Sequence, residues 1–260
     1  MNTAEARYAR EKEFHDNRFS GEVRKDADKY YSVFSICNNY ISSFLNENSK
    51  NKKVLEYGCG EGTYAFTLSR NGAMVTGIDI SDIAIEHAKK KAEENKLSNI
   101  DFIAMNAEEL KFENNSFDLV CGTAILHHLD LKKAYPELAR VMKADAKAVF
   151  MEPLGHNPFI NFYRSLTPAM RTEDEHPLFM KDIKLIGNYF SKHEVKYFHL
   201  LSLLAVPFRN TFLFNGLLSF LNGTDQILFT IFPFLKRFAW YVVIIISEPA
   251  SPQPSPKERG

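Results

Sequence analysis

The feature that most constrains this chain is an alternation of short apolar runs with helical stretches between residues 53 and 153. VLEYG (54–58), MVTGIDI (74–80), IDFIAMNA (100–107), FDLVCGT (117–123) and AKAVFMEP (146–153) are strand-like. YAFTLSRNG, residues 82–97 and LKKAYPELARVM lie between them with helical patterning. Strands of this length separated by single helices require a parallel sheet with right-handed crossovers. Two later runs, HEVKYFHLL and AWYVVIIIS, add strands six and seven. The expected fold is therefore α/β, a doubly wound and mostly parallel seven-stranded sheet, with a helical apolar insertion between the last two strands. Ligands on such sheets bind beyond the carboxyl ends of the strands.

The organisation follows from that frame. Residues 1–50 read as an N-terminal helical cap whose aromatic residues supply one buried face, residues 51–249 as the main domain with an insertion at about 202–238, and residues 250–260, rich in Pro and Ser, as a disordered tail. Lys+Arg and Asp+Glu balance at 32 each, so no net field draws the chain to nucleic acid, and none is expected as a partner. The Lys89-Lys90-Lys91 run reads as a solvated helix face. Cys37, Cys59 and Cys121 lie far apart without metal-ligand spacing, so reduced thiols and no metal are expected. The charged N-terminus has no apolar core, which points to a cytoplasmic location.

The turn after the first strand, EYGCGEG at 56–62, places Gly58, Gly60 and Gly62 where a backbone must approach a ligand. A dinucleotide site prefers a third glycine one residue later, and Glu56 sets a carboxylate where phosphates would lie. A cationic nucleoside fits better, and S-adenosylmethionine, with its sulfonium and ammonium and no phosphate, meets that need. Asp79 ends the second strand 21 residues after Gly58 (79 − 58), the place of a ribose-binding carboxylate. That acidic residue is shared by nucleoside-binding folds generally. Ser81 and Asp82 give the next helix its N-cap and first-turn charge.

VLEYGCGEG, GIDIS, NAEELKFENNSFDLV, ILHHL and RVMKADAKAVFMEP, in this order across residues 52–153, resemble the class I S-adenosylmethionine-dependent methyltransferases. The likeness is to their methyltransferase-11 or UbiE-like small-molecule group. It implies a methyl transfer with Glu56, Gly58 and Gly60 at the methionine end of the cofactor and Asp79 on the ribose. Ile80 would pack on the adenine, with Asn106 and Ala107 at its edge; Cys59 in the loop and Thr123 after strand four complete the set. Position 106 is usually Asp in that group, and Asn keeps an acceptor without the charge. The group's Pro-Gly-Gly turn before strand five is replaced by KADAKAV, read as a changed surface turn. No Asn-Pro-Pro-Tyr type motif follows strand four, which argues against resemblance to the enzymes that methylate the amino groups of DNA bases or of protein glutamine.

Methyl transfer from a sulfonium needs a positioned acceptor and a dry site, and a general base where a hydroxyl or carbon acceptor loses a proton. His127 and His128 follow strand four and are the candidate catalytic bases, with a packing role for both as the alternative. The segment after strand five contributes Glu152, His156, Tyr163, Arg171 and His176 as candidate acceptor-binding residues by resemblance, against a plain surface loop. Residues 197–241 hold twelve aromatics and charges only at Arg209, Asp225, Lys236 and Arg237. No uncharged run there reaches the roughly eighteen to twenty residues of a membrane span. Three readings stay open for it: ordinary core, a lid over an apolar acceptor, or a membrane-surface patch. The last two favour O- or C-methylation of a lipid, an isoprenoid or an aromatic metabolite. A nicotinamide-dependent oxidoreductase and a catalytically inactive methyltransferase-fold binding protein are the rival functions.

Overall fold

The computed structural model describes residues 3–20, 32–168, 172 and 175–249. The tail at 250–260 lies outside the described residues. Seven strands form one sheet: β1 (Lys53–Tyr57), β2 (Met74–Asp79), β3 (Ile100–Ala104), β4 (Phe117–Thr123), β5 (Met142–Pro153), β6 (Phe190–Phe198) and β7 (Tyr241–Pro249). Their spatial order is β3-β2-β1-β4-β5-β7-β6. The first five run parallel, whereas β7 enters antiparallel between β5 and β6. The expected mostly parallel, seven-stranded sheet is what forms.

Successive residues of the central strands point to opposite faces, and both faces are covered, so the strands read as continuous apolar runs. Val54, Leu119, Val149 and Val243 enter one core, while Leu55, Val120, Phe150 and Ile244 enter the other. Two helices, α1 (Thr3–Ser20) and α2 (Ser35–Asn48), precede the sheet. β1 is followed by α3 (Ala65–Arg70), β2 by α4 (Asp82–Glu94) and β4 by α5 (Leu131–Val141), whereas β3 runs into β4 without an intervening helix. Ser81 does cap α4, its hydroxyl accepting from the Ala84 N–H at 3.1 Å.

The KADAKAV segment is not a turn. With no proline or glycine to break it, β5 starts at Met142, paired with Phe117, and a register shift lies between Phe117 and Leu119. Beyond β5 come α6 (Pro158–Ser165) and α7 (Met180–Leu185). The 202–238 insertion folds as a 3-10 helix at Ser202–Phe208, the helix α8 (Phe214–Ile231) and a second 3-10 helix at Pro233–Phe238. It is anchored by Asp225, fully buried, whose carboxylate accepts from the N–H groups of Leu200, Leu201 and Ser202 at 3.1, 2.7 and 3.2 Å. Leu218 and Phe229 of α8 are also buried. No helix among the described residues is long and apolar enough to cross a membrane.

Candidate active site

The turn between β1 and α3 bends through Gly58 (φ 70°), Gly60 (φ 52°) and Gly62 (φ 91°). A side chain at Gly58 would combine this left-handed backbone with a Cβ 2.7 Å from Ile125, so only glycine fits. Glu56, 1% exposed, turns its carboxylate onto the start of α3, accepting from the N–H groups of Tyr64 and Ala65 at 2.7 and 2.8 Å. Those are the donors a pyrophosphate would use at a helix N-terminus. Burial pushes the Glu56 carboxyl up to about 8, against the pull of these backbone donors. Glu56 thus opposes a phosphate, as the sequence suggests, but from inside the loop: it is not part of the ligand cleft. Cys59 likewise is buried, its N–H donating to the Ile78 carbonyl at 2.8 Å. Both positions shape the loop from beneath, a correction to their reading as ligand contacts.

A cleft of about 780 Å³ opens beyond the carboxyl ends of the first four strands, within the size range of small-molecule sites. Gly58, Gly60, Asp79, Ile80, Asn106, Ala107 and Thr123 all line it. Asp79 accepts from the Gly60 N–H at 2.8 Å through one carboxylate oxygen and from the Ser81 N–H at 3.0 Å through the other. Each oxygen keeps a second lone pair for a ribose hydroxyl. Asn106 accepts from the Glu108 N–H at 2.9 Å, a local turn that fixes its side chain, and the Ala107 carbonyl accepts from the Tyr57 hydroxyl. Thr123 and the Tyr64 hydroxyl lie 2.8 Å apart.

The outer wall of the cleft is α1, whose role composition conceals. Tyr8, Glu11, His15 and Phe19 line the cleft, recurring every three or four residues on one helical face. Arg7 donates to the His128 carbonyl at 3.0 Å and to Glu108, while Lys12 donates to the Ile80 carbonyl at 3.3 Å and pairs with Asp82 at 2.6 Å. The Ser81 hydroxyl donates to Asp16 at 2.5 Å. This face of α1 mixes aromatic Tyr8 and Phe19 with polar Glu11 and His15, so it is not an apolar stripe. The recurring spacing of Glu11 and His15 was the available signal.

The two histidines after β4 part company. His127 is buried, with Nδ1 2.7 Å from Glu152, and burial, then the neighbouring His128, push its pKa down. Its Nδ1–H therefore donates to Glu152, and His127 belongs to the packing of the loop. His128 lines the cleft, its Nδ1 3.1 Å from Glu11. Burial raises the Glu11 carboxyl, but hydrogen bonds from His128, His15 and Thr172 together hold it well below the usual carboxylate range.

Four of the acceptor candidates after β5 fall elsewhere. Glu152 is fully buried and holds the post-β4 loop, accepting from the Ile125 and Leu126 N–H groups at 2.9 and 2.8 Å. His156 accepts from the Met180 N–H at 3.3 Å, and exposed His176 stacks on Phe179. Tyr163 lies half-buried on α6, away from the cleft lining. Asn157 ties the start of α6 to the insertion: its side chain accepts from the Phe159 and Ile160 N–H groups and donates to the Phe238 carbonyl at 2.8 Å. Arg171 lies outside the described residues. Among the described residues none of 202–238 lines the cleft, so the lid is α1 rather than the insertion.

Residues 54–145 match the family model of a methyltransferase domain. The chain is 34% identical over 102 residues to a ubiquinone biosynthesis O-methyltransferase of Coxiella burnetii, covering 39% of this chain and 43% of that protein. It is 31% identical over 127 residues to the demethylmenaquinone methyltransferase of Lactococcus lactis, covering 45% and 50%. The chain thus spans about half the length of the curated relatives it matches. Among solved structures, geranyl diphosphate C-methyltransferase from Streptomyces coelicolor, in complex with Mg2+, geranyl diphosphate and S-adenosyl-L-homocysteine, superimposes with a TM-score of 0.60 at 13% identity. That likeness covers 88% of this chain and 86% of the other, and it is a likeness of fold. In sequence match, strand order and loop geometry together, residues 54–145 are similar to the methyltransferase domains of the class I S-adenosylmethionine-dependent type.

Proposed function

We propose that the protein transfers the methyl group of S-adenosylmethionine to a hydroxyl on a small, largely apolar acceptor. The observation that carries this reading is the convergence of the glycine turn, Asp79, Asn106, Thr123 and His128 on one cleft. The nucleoside lies along Asp79 and Asn106, the methionine end against Gly58 and Gly60. The acceptor then enters between Ile125, Leu129 and Tyr8, with its hydroxyl at His128. There the imidazole, oriented by Glu11, takes the hydroxyl proton as the methyl leaves the sulfonium. The quinone-directed names of the curated relatives agree with an acceptor of this kind. The test is calorimetry with S-adenosylmethionine, S-adenosylhomocysteine and NAD, followed by turnover with hydroxylated quinone and phenol precursors. Binding of NAD alone would overturn the reading.

The insertion supports a further element, contact with a lipid surface. Phe212, Phe220 and Phe234 are 93%, 71% and 66% exposed, while Asp225 is buried, so the charges of 202–238 outside the interior are exposed Arg209 and Arg237 and half-buried Lys236, all cationic. Exposed aromatics flanked by cations suit an anionic bilayer. Flotation with phosphatidylglycerol vesicles should carry the protein upward, and Phe212→Ser with Phe220→Ser should abolish this. Equal flotation of the double variant would remove the element.

A further inference from the structure

We propose that Glu11, His15 and His128 bind a divalent transition-metal ion, such as zinc, manganese or iron(II), at the acceptor end of the cleft. Their donor atoms all lie within 4.8 Å of one another. Glu11 and His15 stand one turn apart on the same face of α1, and His128 meets them from the loop after β4. One Glu11 oxygen is 3.1 Å from His128 Nδ1 and 3.6 Å from His15 Nε2. Ligands bound at about 2.0–2.2 Å to one ion stand roughly 3.0–3.6 Å apart, so these two pairs need little movement.

The surroundings are those of a built site. The other Glu11 oxygen accepts from the Thr172 hydroxyl, which fixes the carboxylate. His128 is packed by His127, ring centres 4.2 Å apart, and edge-on by His15 at 5.1 Å. Glu11 is 5% exposed. All three groups line the cleft, so the remaining coordination positions face the ligand, the arrangement of a three-ligand open site. Two imidazoles and one carboxylate suit zinc, manganese or iron, not calcium or magnesium.

This inference rests on the reading above for where the acceptor lies. With an ion bound, His128 Nδ1 would be committed to it, and the ion would supply by Lewis acidity what the imidazole supplies without it, lowering the pKa of the acceptor hydroxyl so that its proton passes to solvent before the methyl group is transferred. The test uses the full chain, dialysed against EDTA and titrated with ZnCl2 and with MnCl2 by calorimetry, without cofactor. One ion per chain is expected. Glu11→Gln and His15→Ala should each weaken binding beyond the roughly 10–100-fold that losing an outer partner costs, and Thr172→Ala should fall within that range. Circular dichroism checks that each variant is folded, and His128→Asn replaces any that is not. Protein that binds S-adenosylhomocysteine but no ion overturns the metal site alone. Undiminished ion binding in the Glu11→Gln/His15→Ala double variant would assign the ion to surface histidines and also overturn it. Failure to bind S-adenosylhomocysteine instead overturns the methyltransferase reading.

Discussion

Glu152 lies 2.7 Å from Nδ1 of His127 and, through its other oxygen, holds the Ile125 and Leu126 N–H groups at 2.9 and 2.8 Å. One buried carboxylate at the end of β5 thus sets the whole loop that delivers His128 to the cleft. Glu152→Ala leaves three donors without their acceptor and should cost about 3–5 kcal/mol in urea unfolding, since each buried unsatisfied donor costs about 1–3 kcal/mol. Glu152→Gln keeps an acceptor and should cost less. A loss under about 1 kcal/mol for the alanine variant would mean that the loop is held by something else.

The same geometry separates the two histidines. His128→Ala should lower kcat by about 10²–10⁴-fold, the usual contribution of a general base, with S-adenosylhomocysteine affinity nearly unchanged. His127→Ala should act chiefly on stability, by about 1–3 kcal/mol, because it strips the Glu152 carboxylate of a buried partner. Steady-state kinetics beside thermal unfolding tell the two effects apart, and a reversed pattern would exchange their roles.

Asp79 joins the end of β2 to the glycine turn as well as facing the cleft. Asp79→Ala should weaken S-adenosylmethionine binding by about 1.5–3 kcal/mol, as for hydrogen bonds to a charged group. It should also speed hydrogen exchange at the Gly60 and Ser81 amides, which the carboxylate now holds. Unchanged affinity measured by calorimetry would place the ribose elsewhere.

His199, wholly buried beside Cys37 and Ser202, has its pKa pushed down to about 3 by burial. The unfolded chain titrates this group near 6.5, so between about 3 and 6.5 it binds more protons than the native state. Its contribution to stability is complete above about pH 6.5 and is lost as the pH falls, by at most about 1.4 kcal/mol per pH unit for one proton. Urea unfolding at about pH 5 and about pH 7 should show this slope in the wild type and a flatter one in His199→Gln. Equal slopes would place the acid sensitivity in other groups.

Sequence alone determined the sheet and the inner wall of the site. Continuous apolar runs buried on both faces, the glycine turn and the acidic residue ending β2 are local patterns, and the parallel direction of the first strands follows from helical crossovers, while their spatial order came from the fold. Gly58, Gly60, Asp79, Ile80, Asn106, Ala107 and Thr123 were legible because strand ends in such a sheet must face the cleft. Tertiary structure alone decided the rest, wherever a side chain chose between a ligand and its own backbone. Glu56 and Glu152 are, like Asp79, carboxylates near strand ends, yet each turns inward, because nearby N–H groups would otherwise be buried without acceptors. The insertion and the segment after β5 are tied down by Asp225 and Asn157, single polar anchors with no periodic signature. The outer wall came from α1, more than a hundred residues from the loop it touches, through Glu11 and His128, a pairing that only the folded chain brings within reach.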